Sequence, residues 1–261
     1  MHTVIGNWKM QLTITEAAQL AKDIAATLPK RLPDVRVTVC PSYAALASVK
    51  EALGVSPVVL GAQDLCHEEK GAYTGEVSGR ELADLGVKLV IIGHSERRSH
   101  VHEDDTLIRA KVQRALKYKM IPVLCVGETR DERDKGLRDV VVERQVRAAL
   151  EGLELPARGE LIIAYEPIWV IGSGTAVDPE DAARSHYIIR ETLRDVFTSE
   201  TADRRCRVIY GGSVDKDNIA EFLARPVIDG VLVGGASLSA SEFTAIVEAA
   251  RTADAKGAGR G

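Results

Sequence analysis

Short apolar runs recur along the chain, and each is followed by glycine, proline or polar residues of the kind found in turns. The runs are continuously apolar rather than alternating with polar residues, which is typical of strands covered on both faces in a parallel sheet. The pattern predicts eight strands: Val4–Ile5, Val35–Cys40, Val58–Ala62, Leu89–Gly93, Ile121–Val126, Leu161–Tyr165, Arg207–Tyr210 and Val231–Val233.

The segments between these runs carry apolar residues at helical spacing. Ile108, Val112 and Leu116, for example, share one helix face and could cover one side of a sheet. Residues typical of helix starts occur in the same segments. They are the capping-box pairs Thr13 with Glu16, Ser78 with Glu81 and Ser239 with Glu242, and the sequence Asp178-Pro179-Glu180.

Eight strand-then-helix units with no linker between them predict an α/β fold, a single (β/α)8 barrel of parallel strands inside a ring of helices. We assign residues 1–252 to this domain and expect the small, polar residues 253–261 to form a flexible tail. The alternative is an open doubly wound sheet. Against it, the nearest approach to a dinucleotide-binding fingerprint, Gly172-Ser173-Gly174, lacks the third glycine.

Composition excludes several classes of protein. With 34 basic and 38 acidic residues the formal charge is −4, so the basic excess of a nucleic-acid binder is absent. No apolar run reaches the roughly 18 to 20 residues that span a bilayer. The four cysteines are widely spaced and form no Cys-x-x-Cys pair. We therefore expect a cytoplasmic protein with reduced thiols that binds neither nucleic acid nor membrane.

Polar residues follow three of the predicted strands directly. Asn7 and Lys9 follow the first, His94 and Glu96 the fourth, and Glu166 the sixth. Because the carboxyl ends of all strands in such a barrel face one mouth, these side chains should converge there. A carboxylate, an imidazole, an ammonium and a carboxamide at one mouth are the groups of a proton-transfer site.

Each of these residues has a plainer interpretation as well. Glu166 is suited to act as a general base, but it could instead form a salt bridge to a neighbouring strand. His94, at a helix amino terminus, should be a neutral hydrogen-bond donor, although a lone buried histidine is more often structural. Lys9 could be a Schiff-base nucleophile, a fixed positive charge or a surface lysine, and the residues alone leave this open.

Paired glycines follow the last two strands, in Gly211-Gly212-Ser213 and Gly234-Gly235. Barrels commonly bind phosphate at this place, because glycine lets backbone N–H groups approach an anion closely. Turn geometry alone also explains paired glycines. Two such turns, both at the phosphate position, favour a phosphate site.

An apolar segment bounded by proline and glycines follows Glu166 and is typical of a loop that closes over a substrate and excludes water. An ordinary exposed loop seldom carries a tryptophan and two isoleucines together. The predicted lid consists of Pro167, Ile168, Trp169, Val170, Ile171, Gly172, Ser173, Gly174 and Thr175.

Six motifs in this order resemble the triosephosphate isomerase family, and together they cover almost the whole chain. Several matching motifs at such separations are far more specific than any one alone. They are Gly6–Met10, Gly71–Glu76, Ile91–Arg98, Ala164–Trp169, Tyr210–Val214 and Leu232–Ser237.

The resemblance implies that dihydroxyacetone phosphate and glyceraldehyde 3-phosphate are interconverted through an enediol, with no metal or cofactor. Glu166 would move a proton between two carbons, and His94 would polarise the carbonyl. Lys9 and Asn7 would stabilise the developing negative charge, with Glu96 supporting them. The implied phosphate contacts are Gly172, Ser173, Ser213, Gly234 and Gly235.

The resemblance further implies a homodimer in which Thr74 reaches toward the partner's site near Asn7 and Lys9. The chain departs from the family pattern near this contact, with Gln11 and Asp64 where Asn is usual. It departs in the lid as well, with Val170, Ser173 and Thr175 where Ala, Thr and Lys are commoner.

Two other functions fit part of this pattern. One is a different phosphate-binding barrel that isomerises an aminated sugar phosphate, and the other is a non-catalytic phosphosugar-binding barrel descended from the isomerase. The isomerase of an aminated sugar phosphate would keep the glycine turns but not the joint presence of Lys9, His94 and Glu166 in this order, so the non-catalytic barrel is the alternative that stays open.

Overall fold

In the computed structural model, which describes residues 1–170 and 176–258, eight parallel strands close into a barrel in the order β1 to β8. This confirms the predicted (β/α)8 architecture. The strands are β1 His2–Asn7, β2 Val35–Cys40, β3 Val59–Ala62, β4 Leu89–Ile92, β5 Ile121–Val126, β6 Leu161–Tyr165, β7 Cys206–Tyr210 and β8 Gly230–Val233.

The helices α1 to α11 surround the barrel. They are α1 Ile14–Thr27, α2 Leu46–Leu53, α3 Gly79–Leu85, α4 Ser95–His100, α5 Asp105–Lys117, α6 Arg130–Asp134, α7 Arg138–Leu150, α8 Pro179–Val196, α9 Ser199–Arg205, α10 Ile219–Leu223 and α11 Ala240–Ala258. Short 3₁₀ helices cover Tyr43–Ala45, Ile168–Val170 and Gly235–Leu238.

The predicted helix starts are confirmed. Thr13 and Ser78 each form both hydrogen bonds of a capping box, and Asp178 caps α8 ahead of Pro179. The Ser239 hydroxyl accepts a hydrogen bond from the Glu242 N–H at 3.4 Å. Such caps satisfy N–H groups that have no partner inside the helix.

Two apolar layers explain why the strands read as continuous apolar runs. Ile5 and Ile91 pack inside the barrel, whereas Val4, Val90 and Ile92 pack outward with the helices. Successive side chains of a strand point to opposite faces, and here both faces are buried. Hence no polar alternation appears in the sequence.

The last helix extends past the predicted domain boundary at residue 252, because α11 ends at Ala258. Flexibility of the tail remains a prediction. None of the helices in the described ranges is both long enough and apolar enough to span a membrane.

The barrel closes where β1 pairs with β8, and Gly230 lies opposite Thr3 in this pair. Gly230 has a φ of +154°, and a Cβ at this position would lie 1.9 Å from the Thr3 carbonyl oxygen. Because backbone atoms surround the position, no side-chain rotation can relieve the overlap.

We therefore expect Gly230→Ala to lower the free energy of unfolding by about 3 kcal/mol or more. Gly136→Ala is the control, since Gly136 also has a positive φ of +71° but a Cβ there meets no atom within 4 Å. The control should lose only about 1 kcal/mol. Chemical denaturation of both variants measures the difference, and equal losses would contradict the closure argument.

Candidate active site

The carboxyl ends of the strands surround a cavity of about 340 Å³. Asn7, Lys9, His94 and Glu166, predicted from the sequence to converge, all line it. The remaining lining residues are Leu232 of β8 and residues of the loops after β7 and β8: Gly211, Gly212, Ser213, Val214, Asp215, Gly234, Gly235 and Ala236.

His94 caps the amino terminus of α4, and its two ring nitrogens have different partners. The Glu96 N–H donates a hydrogen bond to Nδ1 of His94 at 3.2 Å. Nδ1 therefore carries no proton, so the imidazole is neutral with its hydrogen on Nε2. Nε2 lies 3.2 Å from Oε1 of Glu166. The geometry thus presents a neutral N–H donor to the cavity.

The Glu166 side chain is only 2% exposed, so its carboxylate needs partners. Beside the His94 contact, Oε2 accepts a hydrogen bond from the Ser95 N–H at 3.2 Å. Both partners belong to the amino-terminal end of α4. An ionised acid at this place is stabilised by the positive end of the local peptide dipoles.

Two glycines leave room for Glu166. A Cβ at Gly127, directly after β5, would lie 1.8 Å from the Glu166 carbonyl oxygen. A Cβ at Gly211 would lie 2.8 Å from Cγ of Glu166. The sequence analysis treated Gly211 only as part of a turn and missed Gly127. The available signal was a glycine immediately after a buried strand.

Lys9 is held in an unusual backbone conformation, with a φ of +51°. Its N–H donates to Oδ1 of Asn7 at 3.1 Å, and its carbonyl oxygen accepts from Nε2 of Gln63 at 2.7 Å. Gln63 also donates to the Cys40 carbonyl oxygen at 2.9 Å, which anchors the carboxamide to β2. These bonds offset the strain of a left-handed non-glycine residue. The sequence analysis gave Gln63 no role.

The Lys9 ammonium contacts Glu96, with Nζ 2.5 Å from Oε1. Partial burial raises the pKa of the Glu96 carboxyl, but the Lys9 hydrogen bond and charge outweigh this and hold the pKa below its usual value. Glu96 is therefore ionised at neutral pH and fixes the direction of the lysine. Glu96 is not itself among the cavity-lining residues.

The predicted phosphate contacts divide into two groups. Ser213, Gly234 and Gly235 line the cavity, and Gly235 begins the 3₁₀ helix after β8. Gly172 and Ser173 lie outside the described residues. The same holds for the lid residues Ile171, Gly174 and Thr175.

The described beginning of the predicted lid, Pro167–Val170, is tied to a buried carboxylate. Oε1 of Glu128 accepts from the Trp169 indole N–H at 3.0 Å, and Oε2 accepts from the Tyr165 hydroxyl at 3.1 Å. The guanidinium of Arg133 lies 4.5 Å from the centre of the Trp169 ring. Glu128 was missed in the sequence, where only its place directly after Gly127 could have indicated it.

Thr74 lies on the loop between β3 and α3 and is exposed. It does not line the cavity of its own chain. On the same loop Tyr73 is 43% exposed, and Met10, next to Lys9, is 93% exposed.

Four charged residues form a buried cluster behind α4. Lys111 Nζ lies 2.6 Å from Asp64 Oδ2 and 2.5 Å from Glu103 Oε1. Arg97, on α4, contacts the same two carboxylates at 2.8 Å and 2.6 Å. Burial raises the pKa of Asp64 to about 6, although Lys111 and Arg97 lower it. Asp64 is one of the departures noted in the sequence.

Across residues 1–170 and 176–258, no group of three or more His, Cys, Asp or Glu side chains is placed to hold a metal ion. His100 and His102, which stand close together in the sequence, belong to no such group.

A parallel barrel with a carboxylate, a neutral imidazole and an ammonium beside two glycine turns defines the class of acid–base enzymes built on phosphate-binding barrels. The family model for triosephosphate isomerase matches residues 2–250. Triosephosphate isomerase of Carboxydothermus hydrogenoformans is 48% identical over 94% of this chain and 97% of its own. That of Rhodopirellula baltica is 43% identical over 96% and 98%. The chain belongs to the triosephosphate isomerase family and is an isomerase.

Asp64→Asn should reveal the cost of the buried charge. The pKa of Asp64 rises from 3.8 to about 6 on folding, so the ionised form is disfavoured in the folded state. This cost is present above pH 6 and disappears as the pH falls toward 4. We expect the wild type to gain about 2 to 3 kcal/mol relative to Asp64→Asn over this interval.

Thermal unfolding of both proteins from about pH 7 to about pH 4 measures this gain. The control is Asp105→Asn, which removes a carboxylate at the start of α5 that lies 2.7 Å from Arg98 of α4. The stability of this control should change with pH in the same way as that of the wild type. If the difference in stability between the wild type and Asp64→Asn does not vary with pH, the raised pKa of Asp64 is refuted.

Proposed function

We propose that the chain interconverts dihydroxyacetone phosphate and D-glyceraldehyde 3-phosphate by proton transfer through an enediolate. The observation that carries the proposal is the meeting of the Glu166 carboxylate and the neutral His94 imidazole, 3.2 Å apart in one cavity. Isomerisation needs a base at carbon and a hydrogen-bond donor at oxygen at the same time. The two side chains are those groups.

Glu166 is the base in this proposal. Its carboxylate is almost fully removed from water, where a carboxylate is a more effective proton acceptor than in solvent. It takes a proton from the carbon beside the substrate carbonyl and returns it to the neighbouring carbon. The acidic hydrogen of a bound substrate replaces the His94 and Ser95 N–H groups as its partner.

His94 is the donor to the substrate oxygens. Its Nε2–H polarises the carbonyl, and the proton can then pass between the two oxygens of the enediol. The Glu96 N–H donates to Nδ1, so a second proton could bind Nδ1 only if that hydrogen bond were broken. The backbone of α4 thereby keeps the imidazole in the neutral form that the proposed step requires.

Lys9 and Asn7 stabilise the negative charge that develops on oxygen. The Lys9 ammonium is fixed by Glu96, and Oδ1 of Asn7 accepts from the Lys9 backbone N–H. This contact orients the Asn7 carboxamide, which lines the cavity. A fixed charge costs no reorganisation during the reaction, which supports an electrostatic role for Lys9.

Ser213, Gly234 and Gly235 bind the phosphate in this proposal, with Gly172 and Ser173 as further predicted contacts. The first three line the cavity and belong to the last two loops of the barrel. Backbone N–H groups of glycine turns suit a dianion. The proposed chemistry uses no metal or cofactor, and we place it in the cytoplasm.

An isomerase of an aminated sugar phosphate and a binding protein without catalysis are less well supported. Every group that the proposed proton transfers need is present, in one cavity and hydrogen-bonded to its neighbours. A protein that only binds phosphosugar has no need for a buried carboxylate beside a neutral imidazole. Membership of the isomerase family supports the same conclusion.

We propose further that the active form is a homodimer in which Thr74 approaches the partner's Asn7 and Lys9. The exposed loop around Thr74 and the exposed Met10 beside Lys9 support this arrangement. A partner that covers these residues would exclude water from the lysine and so strengthen its electrostatic effect.

Glu166→Gln should lower kcat by about two to four orders of magnitude, the usual contribution of a positioned base. The glutamine is isosteric, so the fold and the thermal midpoint should change little. Conversion of glyceraldehyde 3-phosphate is measured with chelator-treated protein in a coupled assay. Glu68→Gln, at a partly exposed carboxylate outside the cavity, is the control and should keep wild-type turnover. Wild-type turnover in Glu166→Gln would reject the assigned base.

Thr74→Arg should separate the subunits and lower turnover per chain, because a bulky charge at the loop would be buried without a partner. Thr252→Arg, at an exposed threonine of α11, is the control and should remain dimeric and active. Analytical ultracentrifugation gives the assembly, and the coupled assay gives the activity. A fully active monomer would contradict the proposed subunit contact.

A further inference from the structure

One carboxylate in the cavity lining takes no part in the proton transfers described above. Asp215 follows Ser213 by two residues and lines the same cavity. We propose that Asp215 sets the affinity of the site for the substrate's phosphate, by holding a negative charge near it that keeps binding weaker than the glycine turns alone would make it. The inference rests on the proposed function, which places phosphate against Ser213, Gly234 and Gly235.

The balance of charge in the cavity makes Asp215 conspicuous. Its ionisable lining consists of Lys9, His94, Glu166 and Asp215. With His94 neutral, one positive charge faces two negative ones, although the proposed ligand is an anion. Glu166 is required for proton transfer, whereas Asp215 has no such task. Beyond the Lys9 ammonium, attraction for phosphate must therefore come from backbone N–H groups, and Asp215 opposes it.

Hydrogen bonds hold the Asp215 charge in place. Oδ1 accepts from the N–H groups of Asp217 and Asn218, each at 2.9 Å. The Asp215 N–H donates to Oδ1 of Asn218 at 3.1 Å, and Nδ2 of Asn218 donates to the Ser213 carbonyl oxygen at 3.4 Å. The carboxylate is thus tied to the backbone of Asp217 and Asn218, and the Asn218 side chain links this turn to Ser213.

No basic side chain neutralises this carboxylate. In the part of the chain that the structure describes, Asp215 forms no ion pair with Lys or Arg. The adjacent Lys216 instead contacts Asp217 at 3.5 Å and Glu242 at 3.1 Å. The field of Asp215 is therefore reduced only by solvent and by the two N–H groups that it accepts from.

The expected kinetic effect follows from what substrate and product share. Both carry the same phosphate, so a charge near it weakens both bound states equally and leaves the barrier between them unchanged. Such uniform binding alters KM and ligand release rather than the chemical step. Asp215 would raise KM in both directions and reduce inhibition by inorganic phosphate.

Asp215→Asn removes the charge and keeps an amide oxygen that can accept from the same two N–H groups. The Kd for inorganic phosphate, measured by calorimetry at low ionic strength, should fall about threefold. KM for glyceraldehyde 3-phosphate should fall by a similar factor without any rise in kcat. Both effects should shrink as salt approaches about 0.5 M, because Asp215 is exposed to solvent.

The matched control is Asp217→Asn, which makes the same change in net charge two residues away. Asp217 is 82% exposed, contacts Lys216 and does not line the cavity. The phosphate Kd of Asp217→Asn should change by less than half as much as that of Asp215→Asn. Unchanged or weaker phosphate binding in Asp215→Asn, equal tightening in Asp217→Asn, or no phosphate binding by any of the three proteins would overturn the proposal.

Calorimetry and turnover separate this inference from the function on which it rests. Phosphate binding with the expected difference between the variants, but no turnover, would reject the proposed reaction and retain the role of Asp215 at an anion site. Turnover by both proteins, with the same phosphate Kd in Asp215→Asn and the wild type, would support the proposed reaction and reject the role of Asp215.

Discussion

A carboxylate almost wholly removed from water is the constraint on which the rest of this site depends. Glu166 follows β6 at the mouth of a barrel, where an unpartnered charge would be strongly unfavourable. The structure satisfies it from one direction, with the backbone N–H of Ser95 and the imidazole of His94. The sharp start of α4 is what brings both donors together, so that helix boundary is as important to the site as any side chain in it.

The same constraint accounts for features that carry no chemistry. Gly127 and Gly211 lack side chains because Glu166 occupies the space that a Cβ would need. The Glu96 N–H keeps the imidazole neutral, and the ionised Glu96 side chain holds Lys9. The charged groups Glu166, Glu96 and Lys9 are therefore each held in place by a partner. Charges that are already fixed can stabilise a reaction without moving during it.

Two acidic residues, Asp64 and Asp215, differ from these charged groups. Asp64 is so deeply buried that its two cationic partners do not restore an ordinary pKa. Asp215 lines the cavity without an ion pair to Lys or Arg among the described residues. Neither improves stability or phosphate affinity on simple electrostatic grounds. Val170, the described lid departure, is buried in the 3₁₀ helix that follows Glu166.

The sequence by itself determined the strands, the helix starts and the barrel, because these depend on apolar runs and on caps within a few residues. It also placed Asn7, Lys9, His94 and Glu166 at one mouth, since parallel strands in a barrel all end on the same side. Only the tertiary structure decided how those groups are oriented. Gln63 holds Lys9 across 54 residues of sequence, and Glu128 meets Tyr165 across 37. Such contacts join different strand ends, and hydrophobic periodicity contains no information about which polar atoms will meet there.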